Sequence, residues 1–254
     1  MRKTKILLFI ILLVGAGIYF SNRGQNTSEQ SGAPPVEDDA DQPEDVSLFS
    51  TLFNPDWKRP EGPLRVGLQA GHWKNGELPD ELENLRLYGG GATSPGGTPE
   101  WEVVLAIAEE AKKILEPKGI VVDILPATIP QNYWADAFVS IHADGNDDAS
   151  VSGFKVAGPW RDFSGKSEEL VQLLEEEYDK ATNMRIDTNI TNNMRGYYGF
   201  AWWRYEHSVH PMTPSAIIES GFLTNTQDAR FLILQPEVPA RAIAAAILKF
   251  LDKS

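Results

Sequence analysis

The sequence predicts an α/β fold: one domain with a central, mostly parallel or mixed sheet flanked by helices. Three observations carry this. After Pro63, short apolar runs alternate with longer amphipathic ones, the pattern of strands covered by helices. Most of the short runs are too apolar to face water on either side, as befits strands buried within such a sheet. Ionisable residues gather at their carboxyl ends, where loops of α/β sheets converge side chains from distant parts of a chain.

Taken in order, the expected strands are LRVGLQA (64–70), IVVDIL (120–125), AFVSI (137–141), GFKVA (153–157) and SAIIE (215–219). EWEVVLAIAEEAKKILE (100–116) repeats apolar residues at Val103, Val104, Ile107, Ala111 and Ile114, with Gly119 shortly after its end. That spacing makes an amphipathic helix with a C-terminal stop. SEELVQLLEEEYDKA and PARAIAAAILKFLDK have the same periodicity. Between His142 and Glu219 one good helix is expected, and no extra segment suited to plugging a site.

The 254 residues divide into three regions: an N-terminal segment (1–23), an acidic flexible linker (24–60) and the globular domain (61–254). Arg2, Lys3 and Lys5 precede an uncharged run that Arg23 closes. Basic residues before an apolar run are the mark of an export segment and leave the rest of the chain outside the cytoplasm. Ile18, Tyr19 and Phe20 follow the small residues Gly15 and Gly17, awkwardly for a peptidase. The segment therefore reads as an uncleaved membrane anchor, with cleavage and secretion as the alternative. Six acids fall within residues 36–45, a self-repelling, solvated tether. Leu48, Phe49, Leu52, Phe53 and Trp57 are expected to make the first contacts with the domain. The formal net charge of −13 argues against nucleic acid as a partner, and the absence of cysteine excludes disulfides and thiolate metal sites. The domain is expected to be a monomer.

His72 follows the first strand, His142 the third, and Glu219 closes the last. Glu100 opens the first long helix after the glycine-rich loop GGGATSPGGTPE. Two imidazoles and a carboxylate make a zinc set with one position left for water. Each residue also has a plain reading: a hydrogen-bonded structural histidine, or an acid favoured by a helix N-terminus. Glu219 is the exception, since a carboxylate buried at a strand end needs a partner or a function.

From Leu64 onward the sequence resembles the zinc-dependent N-acetylmuramoyl-L-alanine amidases, which cut peptidoglycan. The resemblance lies in Gly71-His72 after a strand, EWEVVLAIA at a helix start, FVSIHAD, and PSAIIESGFLTNTQDARFL before a terminal helix. It implies that His72, Glu100 and His142 bind one zinc ion and that Glu219 is the catalytic acid/base. It also implies that the bond cut joins the lactyl group of N-acetylmuramic acid to L-alanine. The chain departs from the family in GHWKNGELPDELENLRLYGGG, where two glycines usually follow the histidine, and at Val104, where asparagine is common. Glu102 competes with Glu100, but two positions along a helix point about 200° apart, so only one can face the metal. The alternatives are a non-catalytic wall-binding protein of the same fold, or a metallohydrolase of another amide.

RYEHSVH places His207 and His210 three apart, more consistent with hydrogen bonding than with a second metal. MRGYYGFAWWRYE suits either core packing or glycan stacking.

Overall fold

The computed structural model describes residues 57–86 and 90–252. The expected anchor segment, most of the expected linker, and Leu48, Phe49, Leu52 and Phe53 lie outside the described residues. Five strands form one sheet: β1 Arg65–Ala70, β2 Val121–Leu125, β3 Ala137–Asp144, β4 Lys155–Ala157 and β5 Ser215–Phe222, in the order β2-β1-β3-β5-β4. The first four in that order run parallel, and β4 joins the edge antiparallel. The sheet is mixed.

α1 (Glu83–Arg86) is a short turn of helix. α2 (Glu100–Leu115) crosses from β1 to β2, α3 (Ser167–Thr182) follows β4, α4 (Asn192–Arg195) is a single turn, and α5 (Thr226–Leu234) and α6 (Glu237–Asp252) close the chain. The sequence periodicity accounts for α2, α3 and α6. α5 is announced instead by its cap: the Asn225 side chain accepts from the backbone N–H groups of Gln227 and Asp228, satisfying donors that a helix start leaves unpaired.

The two faces of the sheet are covered differently. Val66, Leu68, Val139, Ile141, Ala216 and Ile218 face α2, α3 and α6 in the larger apolar cluster. Strand side chains alternate, so Gln69, Phe138, Ser140, His142, Ile217 and Glu219 point to the other face. There the cover is made of long connections carrying Leu78, Leu82, Leu85, Ile129, Tyr133, Met194, Tyr197, Tyr198 and Phe200. Helices thus pack one side, and irregular chain rich in hydrogen-bonding groups roofs the other. A buried polar residue on the roofed side can find partners that a helical layer of Leu and Ile would deny it.

β3 and β5 are longer than their apolar runs. Each continues three residues past the expected end, so His142 and Glu219 sit inside strands as directly paired neighbours, with a register shift before Asp144 pairs with Phe222. The expected strand ends were set where hydrophobicity stopped. Backbone pairing carries on because the roof accommodates the polar side chains.

Trp57 and Arg59, from the end of the predicted linker, lie against the domain. The Trp57 ring stacks on His210 at 5.4 Å between centroids, and Arg59 donates to both carboxylate oxygens of Asp136 at 2.6 and 2.9 Å. Among the described residues, no single helix is long and apolar enough to cross a membrane.

Candidate metal centre

The fold brings His72, Glu100 and His142 together from three elements, with one potential ligand atom of each within 4.8 Å of the others. His72 follows β1 by one intervening glycine and has a left-handed backbone, φ 59°. For a residue with a side chain that conformation costs of order 1 kcal/mol and persists where surrounding structure enforces it. Gly71 lets the chain pass close to His142: a Cβ there would stand 2.5 Å from Nδ1 and 2.7 Å from Nε2 of that ring. Gly91 does the same for the other two residues, since a Cβ there would fall 2.7 Å from His72 Cδ2 and 2.9 Å from the Glu100 carboxyl carbon. Its φ of +79° is also one that glycine adopts without strain.

Glu100 is the first residue of α2 and is wholly buried. Its Oε1 faces His142 Nδ1 at 2.9 Å and accepts from the Ala143 N–H at 3.1 Å, and its Oε2 accepts from the Ala92 N–H at 2.8 Å. His72 Nε2 stands 3.7 Å from the same Oε2. Burial pushes the Glu100 carboxyl up, but the two imidazoles and the Ala143 N–H outweigh it and hold the group below the ordinary carboxylate value. Glu102 is exposed on the outer side of the helix. Of the two competing acids, only Glu100 reaches the cluster.

These residues fit zinc. Two imidazoles and a carboxylate are a set that zinc accepts, and one donor atom of each lies within 4.8 Å of the other two, against the roughly 3.4 Å between tetrahedral ligands held about 2.0–2.1 Å from the ion. His142 Nε2 and Glu219 Oε2 are buried with no hydrogen-bond partner among the described residues. Buried polar atoms of native proteins nearly always have partners, so both mark a place built for something further.

Glu219 lies beside His142 in the β3–β5 register and beside Lys155 in the β5–β4 register. Burial, followed by the negative fields of Asp144 and Glu100, raises its carboxyl well above the ordinary value, and Lys155 pulls the other way. A network under the site holds the His142 ring from behind. Ser140 Oγ and Tyr197 Oη both donate to Gln69 Oε1 at 2.7 and 2.5 Å, and Gln69 Nε2 donates to Tyr198 Oη at 2.8 Å. The Tyr197 ring meets the His142 ring edge-on, with centroids 5.7 Å apart.

A family model described as N-acetylmuramoyl-L-alanine amidase matches residues 66–253. The chain belongs to the N-acetylmuramoyl-L-alanine amidase family. This amidase therefore hydrolyses the amide between N-acetylmuramic acid and L-alanine in peptidoglycan. Its fold is shared by the amidase AmiC2 of Nostoc punctiforme, with 23% identity and a TM-score of 0.51 over 74% of this chain and 97% of that one. Ami1 from Mycobacterium smegmatis has 17% identity and a TM-score of 0.57, over 75% and 98%. An amidase from Clostridium difficile 630 has 21% identity and a TM-score of 0.55, also over 75% and 98%. No curated protein sequence matches the chain.

The remaining histidines of the amidase are engaged elsewhere. His207 Nδ1 lies 2.6 Å from Glu81 Oε1, and His210 Nδ1 accepts from the Met212 N–H at 3.1 Å. Among the described residues, neither joins a second metal-ligating group. The aromatic segment divides: Tyr197, Tyr198 and Phe200 are core, while Trp202 and Trp203 are half-buried, with the Arg161 guanidinium 4.5 Å from the Trp203 ring. Sequence reading missed Gly91, Gln69, Lys155 and Asp144. Of these only Lys155 carried a signal, as a charge within an expected apolar strand.

Proposed function

We propose that the amidase is zinc-dependent, with His72, Glu100 and His142 as the ligands of one ion and Glu219 as the acid/base. The observation that carries this reading is the convergence of three donor side chains in a cluster beside Glu219 Oε2, an oxygen with no hydrogen-bond partner among the described residues. Zinc at such a site supplies a Lewis acid that activates water and polarises the scissile carbonyl. The protein's own part is proton transfer. Glu219 takes the proton of the attacking water and returns it to the departing alanine nitrogen, which cannot leave as an anion. Its raised affinity for protons suits a group that must hold one between those two steps. Glu100 is held ionised by its imidazole neighbours, as a ligand must be. One chain carries all four side chains, which supports a monomer as the working unit. The basic flank before the apolar run of residues 6–22 supports anchorage of the domain outside the membrane, within a tether's reach of the wall.

Zinc stoichiometry beside turnover, measured for Glu219→Gln and Glu100→Gln, tests the roles. Glu219→Gln should keep its zinc and slow by roughly 10²-fold to 10⁴-fold, the worth of a positioned proton-transfer group. Glu100→Gln should bind zinc weakly, and chelation should abolish activity of the native enzyme. Loss of zinc from Glu219→Gln with retention by Glu100→Gln would exchange the two roles. Mass spectrometry of digested muropeptides should find a new N-terminal L-alanine; cleavage within the stem peptide would favour a different amide substrate. Fractionation should place the full-length protein with the membrane, exposed to external protease.

A further inference from the structure

Lys155 is 3% exposed in a three-residue edge strand whose other members are Val156 and Ala157. An ammonium there is expensive to bury, and an apolar residue would serve the strand better unless the charge has a use. Its Nζ lies 2.5 Å from Asp144 Oδ2, itself on a 3% exposed residue, and 3.5 Å from Asp187 Oδ2. The Phe222 ring lies below, 5.1 Å from the ammonium. Burial disfavours the charge, but the Asp144 carboxylate outweighs it and Lys155 keeps its proton more firmly than a free lysine.

The pair occupies a defined place. His142, Glu219 and Lys155 stand side by side across β3, β5 and β4, with side chains on the same face. Asp144 follows His142 by two residues, beyond the register shift, and its second oxygen accepts from the Gly145 N–H at 2.8 Å. Among the described residues, Glu219 Oε2 has no donor to fix it, and Glu219 makes no direct ion pair with Lys155. It therefore feels Lys155 through space. Among the described residues, the protein's own charges acting on Glu219 are two carboxylates, Asp144 and Glu100, and this one ammonium.

We propose that Lys155 is a positioning residue for the amidase reaction: pinned by Asp144, its ammonium is the fixed positive charge that keeps the Glu219 carboxylate oriented beside the metal cluster while a proton passes through it. The inference rests on the assignment of Glu219 made above. Without Lys155, the charged protein groups left acting on Glu219 among the described residues would be Asp144 and Glu100, both of its own sign. A charge on the residue paired with Glu219 across the strands, in a medium of effective dielectric near 20, is worth roughly 10-fold to 100-fold in rate when its effect differs between ground and transition states.

Lys155→Met combined with Asp144→Asn removes both buried charges, so neither is left unpaired. This double variant should fold, bind one zinc, and show kcat reduced roughly 10-fold to 100-fold with KM little changed. Lys155→Arg, which keeps a charge in place, should recover most of that loss. Asp144→Asn alone keeps the ammonium, with Asp187 still in reach, and should cost less turnover than the double variant. The inference is overturned if the double variant turns over like the native enzyme, for then the pair only mends a packing fault. Loss in the double variant through zinc content or KM also overturns it, and so does equal loss in Asp144→Asn. If the double variant fails to fold, the comparison of Lys155→Arg with Asp144→Asn decides, with the arginine variant required to be the faster. Normal turnover in Glu219→Gln would instead refute the assignment of Glu219 itself.

Discussion

Gly71→Ala adds one methyl group at a place where the structure leaves none. The backbone at Gly71 lies outside the left-handed region, so alanine meets no conformational penalty and the effect is steric. The new carbon would stand 2.5 Å from His142 Nδ1, whereas ordinary contacts begin at 3.4 Å. The nearest ring atom, Cε1, would be at 2.4 Å, so one side must yield by about 1.0 Å, the difference from 3.4 Å. Overpacking of this size costs roughly 1–3 kcal/mol, which in a domain of this length lowers the melting temperature by roughly 3–10 °C. The backbone cannot easily retreat, because the Gly71 N–H is bonded to the Ile141 carbonyl at 2.9 Å. The imidazole moves instead, from the place where its Nδ1 lies 2.9 Å from Glu100 Oε1. Metal–ligand distances tolerate only about 0.2 Å, so zinc affinity should fall by at least 10-fold to 100-fold, the range seen when ligand orientation is disturbed. Chelator competition measures it, with Gly76→Ala as the control, since a Cβ at Gly76 meets nothing within 4 Å. Zinc bound as tightly by Gly71→Ala as by the native protein would refute the placement of His142 at the metal.

Tyr197→Phe removes the hydroxyl bonded to Gln69 but leaves the ring against His142; it should cost about 1 kcal/mol of stability with zinc affinity nearly unchanged, whereas Tyr197→Ala should weaken both, as read by thermal melts and chelator competition. Glu81 ties the loop after His72 to residues 206 and 207. Burial raises its carboxyl, but the N–H groups of His207 and Glu206 outweigh that and leave it below its ordinary 4.5. Its stabilising effect is therefore present above the unfolded value and is lost as pH falls through the folded one. Melting temperature should thus drop less steeply below about pH 4.5 in Glu81→Gln than in the native protein, and parallel curves would remove Glu81 from the account.

The elements that position the site were legible where one physical signal dominated. α2, α3 and α6 follow from apolar spacing, and β1 and β2 from short apolar runs bounded by loops. The order of the sheet was not legible, because pairing of β5 between β3 and β4 depends on contacts far apart in the chain. The ends of β3 and β5 were misplaced for a related reason. Hydrophobicity reports what a side chain meets, whereas a strand continues as long as its backbone is paired. His142-Ala143-Asp144 and Ser220-Gly221-Phe222 remain paired under a roof whose polar groups come from elsewhere.

The convergence of His72, Glu100 and His142 was legible in the sequence, and what orients them was not. His72, Glu100, His142 and Glu219 stood out because ionisable groups next to apolar runs are costly without a purpose. Gln69 and Ser140 carry no such mark. Both look like the wet side of a half-exposed strand, yet each is fully buried and the two are hydrogen-bonded to each other. Gly91 is similar: it is one glycine among several in a loop, and only the folded chain shows that Glu100 and His72 occupy the space a side chain would take. Sequence thus exposes groups that are expensive to bury singly. It hides the groups that make burial affordable, because their value lies in a pairing across strands. Lys155 sits between these cases. Its charge in FKVA was visible from the start, but its use could be framed only once β4 was found antiparallel to β5, with Lys155 opposite Glu219. Had β4 been shifted by one residue, the ammonium would have pointed to the helical face, and the row containing Glu219 would have held no cation.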